Sequence, residues 1–459
     1  MKKNILNEKG NWVLEKIKNN FKDYWLYVPV IILFLYFIYR LIDQSQLLFY
    51  FPLDYNNDVS SYMAQLFFLK ECGFLNFCSY WYNGFISFQS TSPGWFFFAL
   101  PFYYFFGDVK VATYITMILS FLLAFLVIYF SGKYFNMNKI RRLAFFIFMF
   151  GNSFAIGSFI RLGRVHELFA WVWFLLFIFL VLYFKDRKLN KFSLLIIPSY
   201  ALVVFSYLSV GVIASLVFIG FFSVKSKIEK LYVVLYFLIS LLLISFWLIP
   251  FTIGIFTTSS IPSMLQGTWL WNFNTSEIFT NIAISFVSLS VFVLFYFYWI
   301  SHKKSKKELY FFSPILVFVV LYFFRLTPFI PIFRNIFPDP YLTFFLFFSL
   351  FFLFNSDFNY FKKNILNILG IILIIFAVLS VTINFIHTPK FIVPDNSIRN
   401  NFEPLLNKFN GSFLIFGDYP KLYSKAVYSY APIYHNLSTP LGWYHEVKER
   451  AYFDKFSSF

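Results

Sequence analysis

Apolar runs, uncharged but for Arg40 and Asp43 in the first, alternate with short, mostly basic breaks along nearly the whole chain. The runs cover 25–45, 111–131, 143–160, 168–184, 192–207, 209–224, 231–250, 278–300, 309–324, 342–356 and 365–386. A helix of about 20 apolar residues crosses a bilayer, so the pattern predicts about eleven transmembrane helices in an all-α polytopic membrane protein. The stretch 192–224 is about 50 Å of helix at 1.5 Å per residue. It is read as two short spans turning near Ser209 and Gly211. A further apolar run, 93–107, is bounded or interrupted by Pro93, Pro101 and Gly107. Proline breaks helices, and this run is expected to lie along the outer interface rather than cross.

Composition narrows the class. Of 459 residues, 59% are hydrophobic, 25% aromatic and 13% charged. A soluble domain carries about twice that charge, so a water-soluble enzyme is excluded. The 74 phenylalanines read as lipid-facing filler. A net charge of +17 points to nucleic acid only when basic residues cluster in a block. Here they do not, and no nucleic-acid partner is expected.

Their positions report topology instead. With the N-terminus inside, the segments 1–24, 132–142, 185–191, 225–230, 301–308 and 357–364 hold 23 of the 38 Lys and Arg residues. The opposite side holds 7 before residue 387 and 8 after it. The positive-inside rule thus gives a cytoplasmic basic flank (1–24) and a transmembrane core (25–386) with a large first external loop (46–110). An external C-terminal segment (387–459) follows, the one polar stretch that could form a small α/β appendage. The expected location is the cell membrane, multi-pass.

Polar chemistry gathers at the external ends of the spans. Asp54 and Asp58 lie in the first loop; Arg161, Arg164, His166 and Glu167 precede the fourth span; Arg325, Arg334 and Asp339 lie in 325–341. Arginine grips phosphate with a planar fork, and carboxylates bind divalent cations or accept protons. That set suits a lipid-linked phosphate lying at the membrane surface. Structural roles stand beside the chemical ones. Asp58 precedes a helical pattern and Asp is a preferred N-cap. Asp54 suits a turn. Glu167 fits the first turn of a helix, and interfacial arginines bind headgroups or snorkel. No histidine shows metal-ligand spacing. Cys72 and Cys78 fall in the first external loop, either bridged or packed as free thiols.

The order of motifs in the first loop resembles the membrane glycosyltransferases of the C-type fold (GT-C). The likeness is to oligosaccharyltransferase catalytic subunits and a related prokaryotic group of multi-span proteins. It rests on Asp58, then Lys70-Glu71-Cys72-Gly73, Trp81-Tyr82-Asn83-Gly84 and Ser92-Pro93-Gly94, and on Arg161-Leu162-Gly163 with Glu167 before the fourth span. It covers roughly 25–185. The first motif reads Asn56-Asn57-Asp58, and the tail carries Gly442-Trp443-Tyr444-His445-Glu446 in place of a long acceptor-reading domain.

The resemblance implies an inverting transferase using a polyprenyl-phosphate-linked sugar at the external face, with a glycan, lipid or protein acceptor. Asp58 would be base or metal ligand and Glu167 a second acid. Arg161, Arg164 and Arg325 would face the lipid phosphate. A divalent cation, Mg or Mn, would sit on Asp58 and Glu167. Alternatives from other classes are a transporter or flippase of lipid-linked glycans, an inactive GT-C relative, and a polysaccharide polymerase or ligase. Charged residues lining a path through the spans would have favoured transport.

Overall fold

The computed structural model describes residues 24–53, 57–135, 137–257, 278–334, 336–356, 363–388, 390–391, 403–408, 411–412, 426–440 and 442. Asp54, the basic flank before residue 24, most of 251–277 and His445 lie outside them. Among the described residues nearly all regular structure is helical: α1 Tyr27–Gln44, α2 Val59–Glu71, α3 Gly94–Phe106, α4 Val109–Ser131, α5 Lys139–Phe150, α6 Val165–Lys185, α7 Ile196–Ser206 and α8 Leu208–Val224. There follow α9 Lys227–Leu243, α10 Ser245–Thr257, α11 Ile278–Ser301, α12 Lys306–Phe323, α13 Pro338–Asn355, α14 Lys363–His387 and, in the tail, α15 Val427–His435.

Each of the eleven apolar runs lies on helix, because a chain that cannot reach water must satisfy its backbone internally. Five helices are long and apolar enough to cross a membrane unaided: Tyr27–Leu48, Val109–Ser131, Val165–Lys185, Pro338–Asn355 and Asn367–His387. Two bent pairs raise the number to seven. The chain is an all-α, multi-pass membrane protein.

Two expected spans prove to be broken. The run 143–160 bends by 52° between Phe150 and Ser153. Asn152 restarts the helix there, its side-chain oxygen accepting from the amides of Phe154 and Ala155, and a π-helical turn, Ile156–Arg161, completes it. The run 231–250 bends by 73° between α9 and α10. The stretch 192–224 does divide in two, but at Tyr207, whose extended backbone (φ −160°, ψ 109°) separates α7 from α8, two residues before Ser209.

Helix α6 is central, packing on α4, α7 and α8. The loops at its C-terminal end meet one another. Lys185 pairs with Glu308, Lys307 with Asp186 at 2.8 Å, and Arg141 donates to the Phe354 carbonyl at 3.1 Å. Residues 57–59, 161–167 and 338–341 meet at its N-terminal end.

The first loop is tied down by its own motifs. Cys72 and Cys78 are disulfide-bonded, with Cα atoms 5.4 Å apart, which closes the alternative left open by the sequence. A two-stranded antiparallel hairpin follows, Phe77–Cys78 (β1) against Phe85–Ile86 (β2). Tyr82, Asn83 and Gly84 all take positive φ in its turn. A Cβ on Gly84 would lie 2.1 Å from the Phe77 ring, so this position requires glycine. Trp81 is buried and donates its indole N–H to the Tyr428 carbonyl at 2.8 Å, while the Thr439 amide donates to the Tyr80 carbonyl. The Trp-Tyr-x-Gly motif thereby docks the C-terminal segment onto the loop. Leaving that indole unpaired would cost about 1–3 kcal/mol.

Candidate functional site

The site begins with two backbone bonds. The amides of Asp58 and Val59 both donate to the Leu162 carbonyl at 2.9 Å, fastening the start of α2 to the turn before α6. That turn depends on Gly163, whose φ is +70° and whose Cβ, if present, would stand 2.5 Å from the Val59 Cβ. Glycine alone accepts both the left-handed backbone and the close approach.

The chain then delivers Arg164 as the residue before α6. Its Nε donates to Asp58 Oδ2 at 2.9 Å. Its Nη1 donates to Asp339 Oδ2 and stands 4.0 Å from Glu167 Oε2. Three carboxylates from three separated segments thus share one guanidinium. Burial disfavours the charge on Arg164, but Asp339, Asp58 and Glu167 outweigh it and hold the pKa well above the ordinary value. The residue is a permanent cation.

The carboxylates differ in exposure. Asp58 and Asp339 keep 31% and 28% of their side-chain surface, whereas Glu167 has none. Glu167 Oε1 accepts from the Trp171 indole at 3.2 Å, one helical turn on. Its Oε2 is buried without a hydrogen-bond partner. Buried polar atoms in native proteins are nearly always bonded, and Glu167 Oε2 is an exception to that rule. His166 lies between the rings of Tyr62 and Tyr207, with centroids 4.4 and 4.7 Å away, as a packed neighbour.

Asp58 does not cap α2: its side chain makes no cap hydrogen bond. Asn57 does, its Oδ1 accepting from the Ser60 amide at 2.9 Å while its Nδ2 donates to the Pro52 carbonyl. The capping role expected of Asp58 falls on its neighbour, and the Asp58 carboxylate is left to face Arg164.

Of the residues singled out in the sequence, Asp58, Arg164 and Glu167 come together. Arg161 is buried at the end of the π-helical turn three residues before Arg164. Arg325 lies just beyond α12 in a left-handed backbone conformation (φ +59°). Its amide donates to the Tyr322 carbonyl, and burial pulls its pKa below the ordinary value, with Tyr322 opposing. Asp339 had no role assigned from sequence. The contact that gives it one spans 175 positions and leaves no local signal.

The donor set bears on the expected cation. Among the described residues, no three His, Cys, Asp or Glu side chains are grouped to hold a metal ion. Asp58 and Asp339 are engaged by Arg164 and Glu167 by Trp171. As arranged, Arg164 supplies the positive charge between the carboxylates.

No protein-family model, no curated protein and no solved structure matches the chain.

Proposed function

We propose that the protein is a GT-C-type membrane glycosyltransferase that moves a sugar from a polyprenyl-phosphate carrier to an acceptor. The observation that carries this reading is the convergence of Asp58, Arg164, Glu167 and Asp339 at the end of a transmembrane helix. A lipid-linked phosphate has its tail among the helices and its charge at that level.

In the proposed reaction the acceptor hydroxyl or amide attacks the anomeric carbon from the face opposite the phosphate. The new bond forms as the carbon–oxygen bond to phosphate breaks, and the configuration inverts. The bonding pair leaves on the phosphate oxygen, where Arg164 meets the charge with its fork, assisted by Arg161 and Arg325. The acceptor's proton passes to Asp58 as general base. Glu167 and Asp339 hold Arg164 in place. No step passes through a metal.

The topology that goes with this reading has eleven crossings, a cytoplasmic N-terminus and the site at the external face, roofed by α3 lying along the membrane surface. Pro101 lies within α3, and the exposed rings of Tyr104 and Phe105 suit the interface.

The experiment is transfer by the purified chain in liposomes from a polyprenyl-phosphate sugar, compared with Arg164→Lys. A point charge cannot reproduce the fork, so donor affinity should fall about tenfold to hundredfold. Unchanged donor affinity, or no release of polyprenyl phosphate by the wild type with any acceptor, contradicts the proposal.

A further inference from the structure

An open cleft of about 690 Å³ lies between the C-terminal end of α2 and α15. It lies along α2 from Arg164: Phe67 and Glu71 of its wall are nine and thirteen residues beyond Asp58, about 14 and 20 Å of helix. Its wall carries Phe67, Glu71, Tyr80, Tyr434, His435 and Asn436. We infer that this cleft binds a neutral glycan, and that the glycan is the acceptor of the transfer proposed above, on which this inference rests.

The wall chemistry selects that class. Among the described residues no lysine or arginine lines the cleft, and Glu71, its one charged group, is already paired with Lys70 at 3.3 Å, so the wall offers no net charge to an ion. The wall is too polar for a lipid chain. A sugar ring presents an apolar face of C–H groups and an edge of hydroxyls. Aromatic rings offer an apolar face with negative charge density to the first; carboxylate, amide and imidazole groups pair with the second.

The residues are placed to do both. Tyr434 is 41% exposed and its ring is steadied by Tyr430 at 4.6 Å. Tyr80 is stacked on Phe68 at 5.4 Å and donates its hydroxyl to Asn436 Oδ1 at 2.7 Å, which turns the Asn436 amide by a fixed contact. Glu71 is well exposed. His435 Nε2 is buried with no hydrogen-bond partner. Burial also holds the His435 pKa below its ordinary value, against Glu403, which favours the neutral ring, with one donor and one acceptor nitrogen. The cleft and the reactive cluster are joined by one rigid helix, which suits an acceptor held several sugar units from the one that reacts.

The test is binding of the full chain, purified in nanodiscs, to an array of neutral oligosaccharides, followed by affinity for the best of them. Wild type and Asp58→Asn should bind alike. Glu71→Gln and Tyr434→Ala should each weaken binding, Glu71→Gln by about tenfold or more, with affinity for polyprenyl phosphate unchanged. Glu71 is exposed, so its variant should fold even if the other does not. The inference is overturned if no neutral oligosaccharide binds the wild type, if only peptides or charged lipids bind, or if Glu71→Gln binds as the wild type does. Glycan binding with wild-type transfer by Asp58→Asn would overturn the reaction and spare the cleft; loss of transfer in Asp58→Asn with no glycan binding would do the reverse.

Discussion

Arg164 and Lys185 flank the same helix, α6, about 30 Å apart at 1.5 Å per residue, the thickness of a bilayer's hydrocarbon core. Their surroundings differ. At the Lys185 end the buried charges Lys185, Lys225 and Glu308 are all partnered. Lys185 pairs with Glu308, whose other oxygen accepts from the Tyr298 hydroxyl at 3.1 Å. Lys225 donates to the carbonyls of Phe184 and Arg187 at 2.7 and 2.5 Å. Glu229 accepts from the Leu189 amide and from Ser226. At the Arg164 end one guanidinium serves three carboxylates, two of them partly exposed, and an oxygen of Glu167 has no hydrogen-bond partner. A fully satisfied buried network fixes structure.

The largest effect that could break this comparison is on stability at the saturated end. Lys185→Ala leaves Glu308 buried without its cation and should cost about 3–5 kcal/mol, read as a lowered unfolding temperature in detergent. The paired change Lys185→Met with Glu308→Leu should recover most of it, since apolar replacement of a buried pair is commonly near neutral. If the single variant unfolds like the wild type, that end is not a structural lock.

A smaller effect is expected at Gly163. Gly163→Ala forces an L-residue into a left-handed backbone at about 1–2 kcal/mol and pushes Val59 away. The same shift moves Asp58 relative to Arg164, so transfer should fall by more than the loss of folded protein explains. Activity per folded molecule equal to wild type would show that the junction of 58–59 with 162 is only structural.

The smallest is at Asn57. Asn57→Ala removes the observed cap and should cost about 1 kcal/mol while leaving most transfer in place. A variant as stable as wild type would mean that this bond contributes nothing to α2.

Much of this was legible beforehand, for physical reasons that also mark the limits. Apolar runs located the helices because hydropathy reports what must avoid water. It did not show the bends at Gly151-Asn152 and at Ile244, since a bent helix is as apolar as a straight one. Asp58, Arg164 and Glu167 were readable as polar groups at span ends. Asp339 was visible as such a group, but its partnership with Arg164 depends on how α13 packs. The choice of Asn57 over Asp58 as cap turns on backbone angles: Asp58 itself is already helical, at φ −93° and ψ −20°. Trp81 was readable as part of a motif, while its bond to the Tyr428 carbonyl needed the tail in place.

One variant separates a chemical role of Asp58 from a structural one. Asp58→Asn keeps the size and polarity of the side chain but not its charge or basicity. Because Asn57 carries the cap, unfolding should be nearly unchanged. Removal of a general base costs about 10²–10⁴-fold in rate, so the measurement is the transfer rate of purified, folded Asp58→Asn from a polyprenyl-phosphate sugar. The account predicts a folded protein with transfer reduced by about that factor; a folded protein transferring at the wild-type rate would contradict it.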